Sequence, residues 1–157
     1  MVSQFGLMFF ADRRAVEEML RVLRPAGHLA VAVWGRLEDS PGYVAFADLL
    51  QRSIGDQAAD EVREPFSLGD PQLLRSLFAD TGLSAVEVTS HEEIARFSSV
   101  REMVLAETHG WTLGKVVGEA QVRLLLQEAE RVLQPFVTAE GTVSFPMRAH
   151  ILSALKA

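Results

Sequence analysis

Histidine is the side chain best suited to moving protons near neutral pH, and this chain carries His28, His91, His109 and His150. Their spacing matches no metal-ligand pattern and the chain has no cysteine, so we predict no metal site, no disulfide and no thiolate chemistry. His109 lies beside Trp111 in a segment predicted to be a loop, and it is the one histidine considered as a general base. The alternative is that His109 is an ordinary surface residue.

A second group of side chains could line a pocket for a small molecule. The candidates are Trp34, Tyr43, Trp111 and Met147. The argument is strongest for Trp34, because it ends an apolar run typical of a buried strand, and ligands of open α/β sheets bind at the carboxyl ends of the strands. For each of these residues taken alone, ordinary packing is the alternative.

The elements around these residues indicate an α/β fold. Residues 2–10 are apolar with β-compatible aromatic side chains, which predicts a strand and the loop that leaves it. Asp12 can cap a following helix, which the turn at Pro25 ends. Residues 28–34 lack polar alternation and predict a parallel strand buried on both faces. The helix has an apolar stripe with helical spacing, formed by Val16, Met19, Leu20 and Leu23.

The rest of the chain continues this mixture of helices and strands. We find no internal repeat, low-complexity tract or linker, so we predict one domain over residues 1–157. The expected elements are helices beginning at Ser40, at Asp70 and at the Ser99–Glu102 capping box, a helix over 119–133, and extended segments over 83–90, 94–97 and 143–155.

Two stretches of sequence resemble a known family. The first is Gln4-Phe5-Gly6-Leu7-Met8-Phe9-Phe10-Ala11-Asp12-Arg13, and the second is Leu23-Arg24-Pro25-Ala26-Gly27 with the apolar strand that follows. Together they resemble the fourth strand, its helix and the fifth strand of class I S-adenosylmethionine-dependent methyltransferases. The resemblance covers nearly the whole chain. It implies a partial Rossmann-like sheet of about four strands, mostly parallel with an antiparallel last strand, and a helical insertion over residues 98–135.

The chain departs from the family's pattern at Ala26, where the family often has a second glycine. If this position needs a positive φ, alanine costs roughly 1–2 kcal/mol there.

The resemblance implies S-adenosylmethionine as cofactor, with Gln4, Phe5 and Gly6 facing its methionine part largely through backbone groups. The alternative for the Phe5 ring is ordinary core packing. Aromatic faces of the predicted pocket could also accommodate the sulfonium cation. The family binds the rest of the cofactor with a glycine-rich turn and an acidic residue, yet no Gly-x-Gly occurs in this chain.

The chain therefore resembles the family only from the fourth strand onward. We expect the C-terminal portion of a methyltransferase that acts on a small molecule, truncated before the cofactor motif and inactive as an isolated chain. A non-catalytic, self-associating or ligand-binding module derived from this fold is one alternative. An unrelated α+β domain with an accidental resemblance is another.

Charge and hydropathy narrow the choice of partners. The net charge of -6 argues against a nucleic-acid backbone as the main partner. No apolar stretch reaches the length of about 18 residues that spans a membrane, and the start lacks a basic leader, so we expect a cytoplasmic protein. Without the first three strands of the family's sheet, the first strand here would be an exposed apolar edge. We expect a homodimer through that strand or the uncovered sheet face, or a separate N-terminal half.

Overall fold

The computed structural model describes residues 1–10, 12–110 and 112–157, with the backbone alone at Thr112. Its sheet has four strands in the order β1-β2-β4-β3. The strands are β1 (Val2–Gln4), β2 (His28–Trp34), β3 (Leu83–Phe97) and β4 (Val143–Lys156).

The sheet is mixed. Strand β1 pairs with β2 in parallel, with Gln4 opposite Ala32. Strand β2 pairs with β4 in antiparallel orientation, with Trp34 opposite Ala149. These strands alternate with helices along the chain, so the predicted α/β class, with a partial Rossmann-like sheet and an antiparallel last strand, is confirmed.

Six α-helices and several short 3₁₀ turns are present in the described ranges. Two helices begin as the sequence predicts, because the carboxylate of Asp12 accepts a hydrogen bond from the Ala15 amide and that of Asp70 accepts one from the Gln72 amide. The helices are α1 (Arg13–Val22), α2 (Pro41–Ser53), α3 (Asp56–Arg63), α4 (Pro71–Leu77), α5 (Val100–Gly110) and α6 (Glu119–Val132), and the 3₁₀ turns are Leu7–Phe9, Leu37–Asp39, Glu64–Phe66, Thr112–Lys115 and Gln134–Phe136.

Several local predictions differ from the structure. The strand at the start ends at Gln4, and residues 7–9 turn into a 3₁₀ helix. Helix α3 was not predicted. The two extended segments at 83–90 and 94–97 are one continuous strand, β3. His109 lies in the last turn of α5 and not in a loop.

Strand β2 is also less buried than its apolar sequence predicts. Leu29, Val31 and Val33 are buried, whereas Ala30 and Ala32 on the other face are half-buried. The prediction of burial on both faces is therefore wrong for this strand. An apolar run shows that the side chains of a strand can be buried. Whether both faces of the strand are covered depends on elements elsewhere in the chain.

The contacts divide the chain into two compact units. Unit 1 consists of Met1–Arg36, Pro65–Glu93 and Arg148–Ala157, and unit 2 of Leu37–Glu64 and Ile94–Met147. Each has its own apolar core. In unit 1, side chains of α1 and α4 pack with those of β2 and β4; in unit 2, the core is built from α2, α3, α5 and α6 around Phe145. Helices α5 and α6 of unit 2 lie within residues 98–135, the range that we expect to be a helical insertion.

None of the helices within the described ranges has the length and apolar character needed to cross a membrane.

Candidate functional site

The carboxyl ends of β1 and β2 bring two of the predicted site residues together in unit 1. Because these strands run parallel, both end at the same edge of the sheet. The ring of Phe5, just after β1, stacks on the ring of Trp34, the last residue of β2, with centroids 3.8 Å apart and planes 17° from parallel. The Phe5 amide donates to the Ala32 carbonyl at 2.9 Å, which extends the strand pairing to this residue. Both aromatic side chains are half-buried and keep part of their surface accessible.

The backbone at Phe5 is left-handed, with φ of 52°. A bulky side chain rarely adopts this conformation, which costs a non-glycine residue roughly 1–2 kcal/mol. The adjacent Gly6 has φ of −107° and ψ of −42°, an ordinary right-handed conformation. The strained conformation is therefore at Phe5 and not at the neighbouring glycine. Strained residues of this kind concentrate at ligand-binding positions, where the surrounding structure holds them in place.

Packing after Gly6 fixes the direction in which the chain leaves the sheet. Leu7 and Met8 are buried in the core of unit 1. The Phe9 amide donates to the Gly6 carbonyl at 3.1 Å, which closes the 3₁₀ turn. Gln4 is exposed and Gly6 is half-buried, so the predicted cofactor segment as a whole is accessible.

A second loop of unit 1 lies against the residues that follow β2. A Cβ atom on Gly69 would lie 2.4 Å from the carbonyl carbon of Gly35, so only glycine allows this approach of the two backbones. Beside it, Arg36 donates a hydrogen bond to Asp70 at 2.6 Å. That bond, with a further bond from the Gln72 amide, lowers the pKa of the Asp70 carboxyl.

His150, on strand β4, connects this loop to the sheet. The sequence analysis did not distinguish it from the other histidines. It is 2 % exposed. Its Nε2 lies 3.0 Å from the Gly69 carbonyl oxygen, and its Nδ1 lies 2.8 Å from the hydroxyl of Ser90. Since a carbonyl oxygen only accepts, Nε2 carries the proton and donates. The strand's alternation could have predicted this burial, because His150 lies at the same alternate positions of β4 as the buried Leu152 and Ala154.

The other predicted site residues lie apart from the Phe5–Trp34 stack. Tyr43, on α2, and Met147, on β4, belong to unit 2 and are half-buried and buried respectively. His109 is exposed on α5, and its Nδ1 lies 3.0 Å from the Leu105 carbonyl oxygen of the same helix. Trp111 lies outside the described residues.

Unit 2 contains a polar pair that the sequence analysis missed. The hydroxyl of Tyr43 donates to Oε1 of Glu107, on α5, at 2.8 Å. The edge of the Tyr43 ring meets the Phe145 ring, with centroids 5.4 Å apart and planes at 86°. Burial raises the pKa of both groups; for Glu107 the hydrogen bond from Tyr43 opposes that effect. Helical periodicity alone does not distinguish Glu107 from a surface residue.

Within the described ranges, no group of three or more His, Cys, Asp or Glu side chains lies close enough together to hold a metal ion.

The chain is similar to solved structures that include a candidate methyltransferase. A candidate methyltransferase from Bacillus halodurans C-125 matches 99% of this chain with a TM-score of 0.54 at 14% identity. The YcgJ protein of Bacillus subtilis matches 99% of the chain with a TM-score of 0.52 at 15% identity. The chain has a class I methyltransferase-like fold.

The chain is shorter than these two neighbours and spans 62% of the length of each. A third, more distant structure is phosphoethanolamine N-methyltransferase 2 of Haemonchus contortus with phosphomonomethylethanolamine and S-adenosylhomocysteine, at a TM-score of 0.44 and 14% identity. A likeness of that size carries no argument about this chain. Neither the family models nor the curated proteins give a match to the sequence.

Proposed function

We propose that this chain forms the C-terminal portion of an S-adenosylmethionine-dependent methyltransferase that acts on a small molecule. The observation that carries the proposal is the left-handed Phe5, stacked on Trp34 where two parallel strands end. The methyltransferase-like fold and the position of this edge support it, because open α/β sheets bind ligands at the carboxyl ends of their strands.

The residues at this edge fit one end of the cofactor. Gln4 is exposed and Phe5 and Gly6 are half-buried. The polar methionine part can therefore meet backbone groups of this segment other than the Phe5 amide and the Gly6 carbonyl, which are already hydrogen-bonded. The faces of Phe5 and Trp34 that are not stacked on each other suit a sulfonium cation. For the nucleoside part of the cofactor, this chain has no matching binding motif, since it contains no Gly-x-Gly turn. When bound, the cofactor supplies an electrophilic methyl group. This chain contributes positioning and exclusion of water around it, which can provide much of the rate of an in-line transfer.

Because the nucleoside part lacks its turn, we propose that the isolated chain is not catalytically competent. Activity then requires a polypeptide segment that supplies the glycine-rich turn, which this sequence does not contain. Calorimetric titration with S-adenosylhomocysteine tests this point. We expect no binding at micromolar concentration, and micromolar binding would contradict the proposal.

Fluorescence of Trp34 tests the cofactor site itself. In the Trp111→Phe variant, Trp34 is the single tryptophan, and we expect millimolar S-adenosylhomocysteine to change its emission. The Trp34→Phe variant, which keeps Trp111, is the matched control and should show no saturable change. If the emission of Trp34 does not respond, or if both variants respond alike, the site is not at the end of β2.

A non-catalytic, self-associating module is the second candidate function, and the position of β1 favours it. This strand is at the edge of the sheet, and Val2 on it is 76 % exposed. The side chains of β1 carry no charge, and an uncharged edge strand is a template for pairing with another chain. We propose a twofold homodimer through β1 or the less covered face of the sheet.

Sedimentation velocity tests this second candidate. A dimer that pairs through β1 should weaken in Val2→Lys, because a charge on an edge strand opposes pairing. Val22→Lys, an exposed apolar position on α1, is the control and should sediment like the parent chain. A parent chain that is monomeric at high micromolar concentration would refute self-association.

A further inference from the structure

The stacked rings of Phe5 and Trp34 depend on the backbone around them to stay in place. A left-handed backbone such as that of Phe5 persists only where the surrounding structure holds it. Both rings are half-buried, so packing around the rings restrains them only in part. The sheet pairs the backbone beside each ring, because the Phe5 amide donates to the Ala32 carbonyl and the Gly35 amide donates to the Arg148 carbonyl at 2.7 Å. The position of Trp34 therefore depends on how firmly the peptide after it, at Gly35, is held.

The loop over residues 67–70 touches that peptide from outside the sheet. A Cβ atom on Gly69 would lie 2.4 Å from the carbonyl carbon and the carbonyl oxygen of Gly35, and 2.5 Å from the amide nitrogen of Arg36. The two backbones are therefore in direct contact with no side chain between them. Both glycines are buried, so a shift of Gly69 must either displace Gly35 or open a gap beside it.

The contacts that fix this loop differ in strength. Leu68 is buried in the apolar core of unit 1, and that contact has no preferred direction. The ion pair of Arg36 with Asp70 is largely exposed, and exposed pairs contribute little. The bond from Nε2 of His150 to the Gly69 carbonyl is directional, and the histidine is buried. Loss of this donor would leave a buried carbonyl unpaired, so it is the contact whose removal disturbs the loop most.

We propose that His150 is a positioning residue for the Phe5–Trp34 site. Its hydrogen bond fixes Gly69 against Gly35, and Gly35 in turn fixes the end of β2, where Trp34 meets Phe5. All five residues belong to unit 1. The inference rests on the proposed function only in treating this edge of the sheet as a binding site.

The strand register shows that the action of His150 is indirect. His150 lies opposite Val33 in the pairing of β4 with β2, on the buried face of the sheet. Trp34 is the next residue of β2, so its ring points to the other face. The imidazole therefore acts on the indole only through the loop and the strand backbone. Ser90 completes the arrangement, because its hydroxyl, 2.8 Å from Nδ1, donates there and keeps the imidazole proton on Nε2.

Acrylamide quenching of Trp34 fluorescence tests this role without any cofactor. The Trp111→Phe background leaves Trp34 as the single tryptophan. In that background, Phe5→Leu removes the stacked ring, and the quenching constant that it gives marks an uncovered indole. We expect His150→Leu, which removes the donor to the loop, to raise the quenching constant of Trp34 from the parent value toward that of Phe5→Leu. An unchanged quenching constant in His150→Leu would overturn the proposal.

Two further variants separate positioning from a general loss of stability. His150→Gln places an amide N–H near the position of Nε2, so it should donate to the Gly69 carbonyl and restore the parent quenching constant. Leu125→Ala destabilises the chain through a cavity in the core of unit 2 and should leave the quenching constant as it is in the parent. The proposal also fails if Leu125→Ala raises quenching as much as His150→Leu does, or if His150→Gln behaves like His150→Leu.

If His150→Leu does not fold, the tautomer of His150 in the parent chain decides. Long-range proton–nitrogen spectra of the imidazole rings, with His150→Gln used to assign the signal, should show the proton on Nε2. A proton on Nδ1 alone would contradict the bond to the Gly69 carbonyl and overturn the proposal. None of these measurements uses S-adenosylhomocysteine, so failure of the proposed function is seen separately, as a lack of response of Trp34 to that ligand.

Discussion

Replacing Ala26 with glycine should stabilise the protein. Ala26 has φ of 56°, in the left-handed region, and its side chain is exposed. The turn is held there by long-range bonds: the Ala26 amide donates to the Lys156 carbonyl at 3.0 Å, and the Lys156 amide donates to the Gly27 carbonyl at 3.0 Å. The turn therefore cannot relax without losing its connection to the end of β4, and Ala26→Gly removes no buried contact.

The size of the effect follows from two opposing terms. The left-handed conformation costs alanine roughly 1–2 kcal/mol. Glycine has more freedom in the unfolded chain, which offsets about 0.4–1 kcal/mol of that gain. We expect Ala26→Gly to raise the free energy of unfolding by about 1 kcal/mol, and Tm by about 2–4 °C for a chain of this length.

Urea denaturation of three variants tests this argument. Ala106→Gly, at an exposed interior position of α5, should lose about 1 kcal/mol, because a helix interior favours alanine. Gly27→Ala should also destabilise, since the added Cβ atom would lie 2.6 Å from the Arg24 carbonyl oxygen. The reasoning is refuted if Ala26→Gly destabilises the protein as Ala106→Gly does.

Three further predictions concern buried polar groups. Among the described residues, the hydroxyl of Ser40, a residue 1 % exposed, has no hydrogen-bond partner. Ser40→Ala should therefore raise the free energy of unfolding in urea by about 1 kcal/mol, and a loss would contradict this. His150→Ala should lower it by about 3 kcal/mol, because it leaves the Gly69 carbonyl unpaired and opens a cavity; a loss under about 1 kcal/mol would show that the loop is held otherwise. The folded-state pKa of Glu107 lies above its ordinary value of 4.5, so the folded protein binds the extra proton. Between that pKa and 4.5, stability measured by denaturation should rise as pH falls, and Glu107→Gln should lack this component of the pH dependence.

Local patterns in the sequence account for much of the fold. The caps at Asp12 and Asp70 use donors within three residues, so the sequence there contains everything the helix start needs. Burial is less predictable. Ala30 and Ala32 are half-buried because burial depends on which elements cover the sheet, and those lie far away along the chain.

The sequence predicted which residues belong to the candidate site, but not how they are arranged. Phe5 and Trp34 were both expected to bind ligand, one on the cofactor side and the other on the substrate side, yet their rings contact each other. That contact follows from the parallel register of β1 and β2, which joins residues far apart in sequence. The left-handed backbone at Phe5 was not predictable either, since an aromatic residue gives no local signal for that conformation.

His150 and Glu107 show the same limit for polar groups. A lone histidine in a strand and a lone glutamate in a helix have no motif around them. Their partners, Ser90 for one and Tyr43 for the other, lie 60 and 64 residues away along the chain. Only the folded chain reveals that these side chains are enclosed and paired.

The central claim is that the carboxyl ends of β1 and β2 hold the methionine end of S-adenosylmethionine. Amide proton–nitrogen spectra of the labelled chain, recorded with millimolar S-adenosylhomocysteine and, as a matched ligand, with adenosine, test it most directly. The account predicts that S-adenosylhomocysteine shifts the signals of Gln4, Phe5, Gly6 and Trp34 while adenosine leaves them in place. Unchanged signals at these residues with S-adenosylhomocysteine, or equal shifts with adenosine, would contradict it.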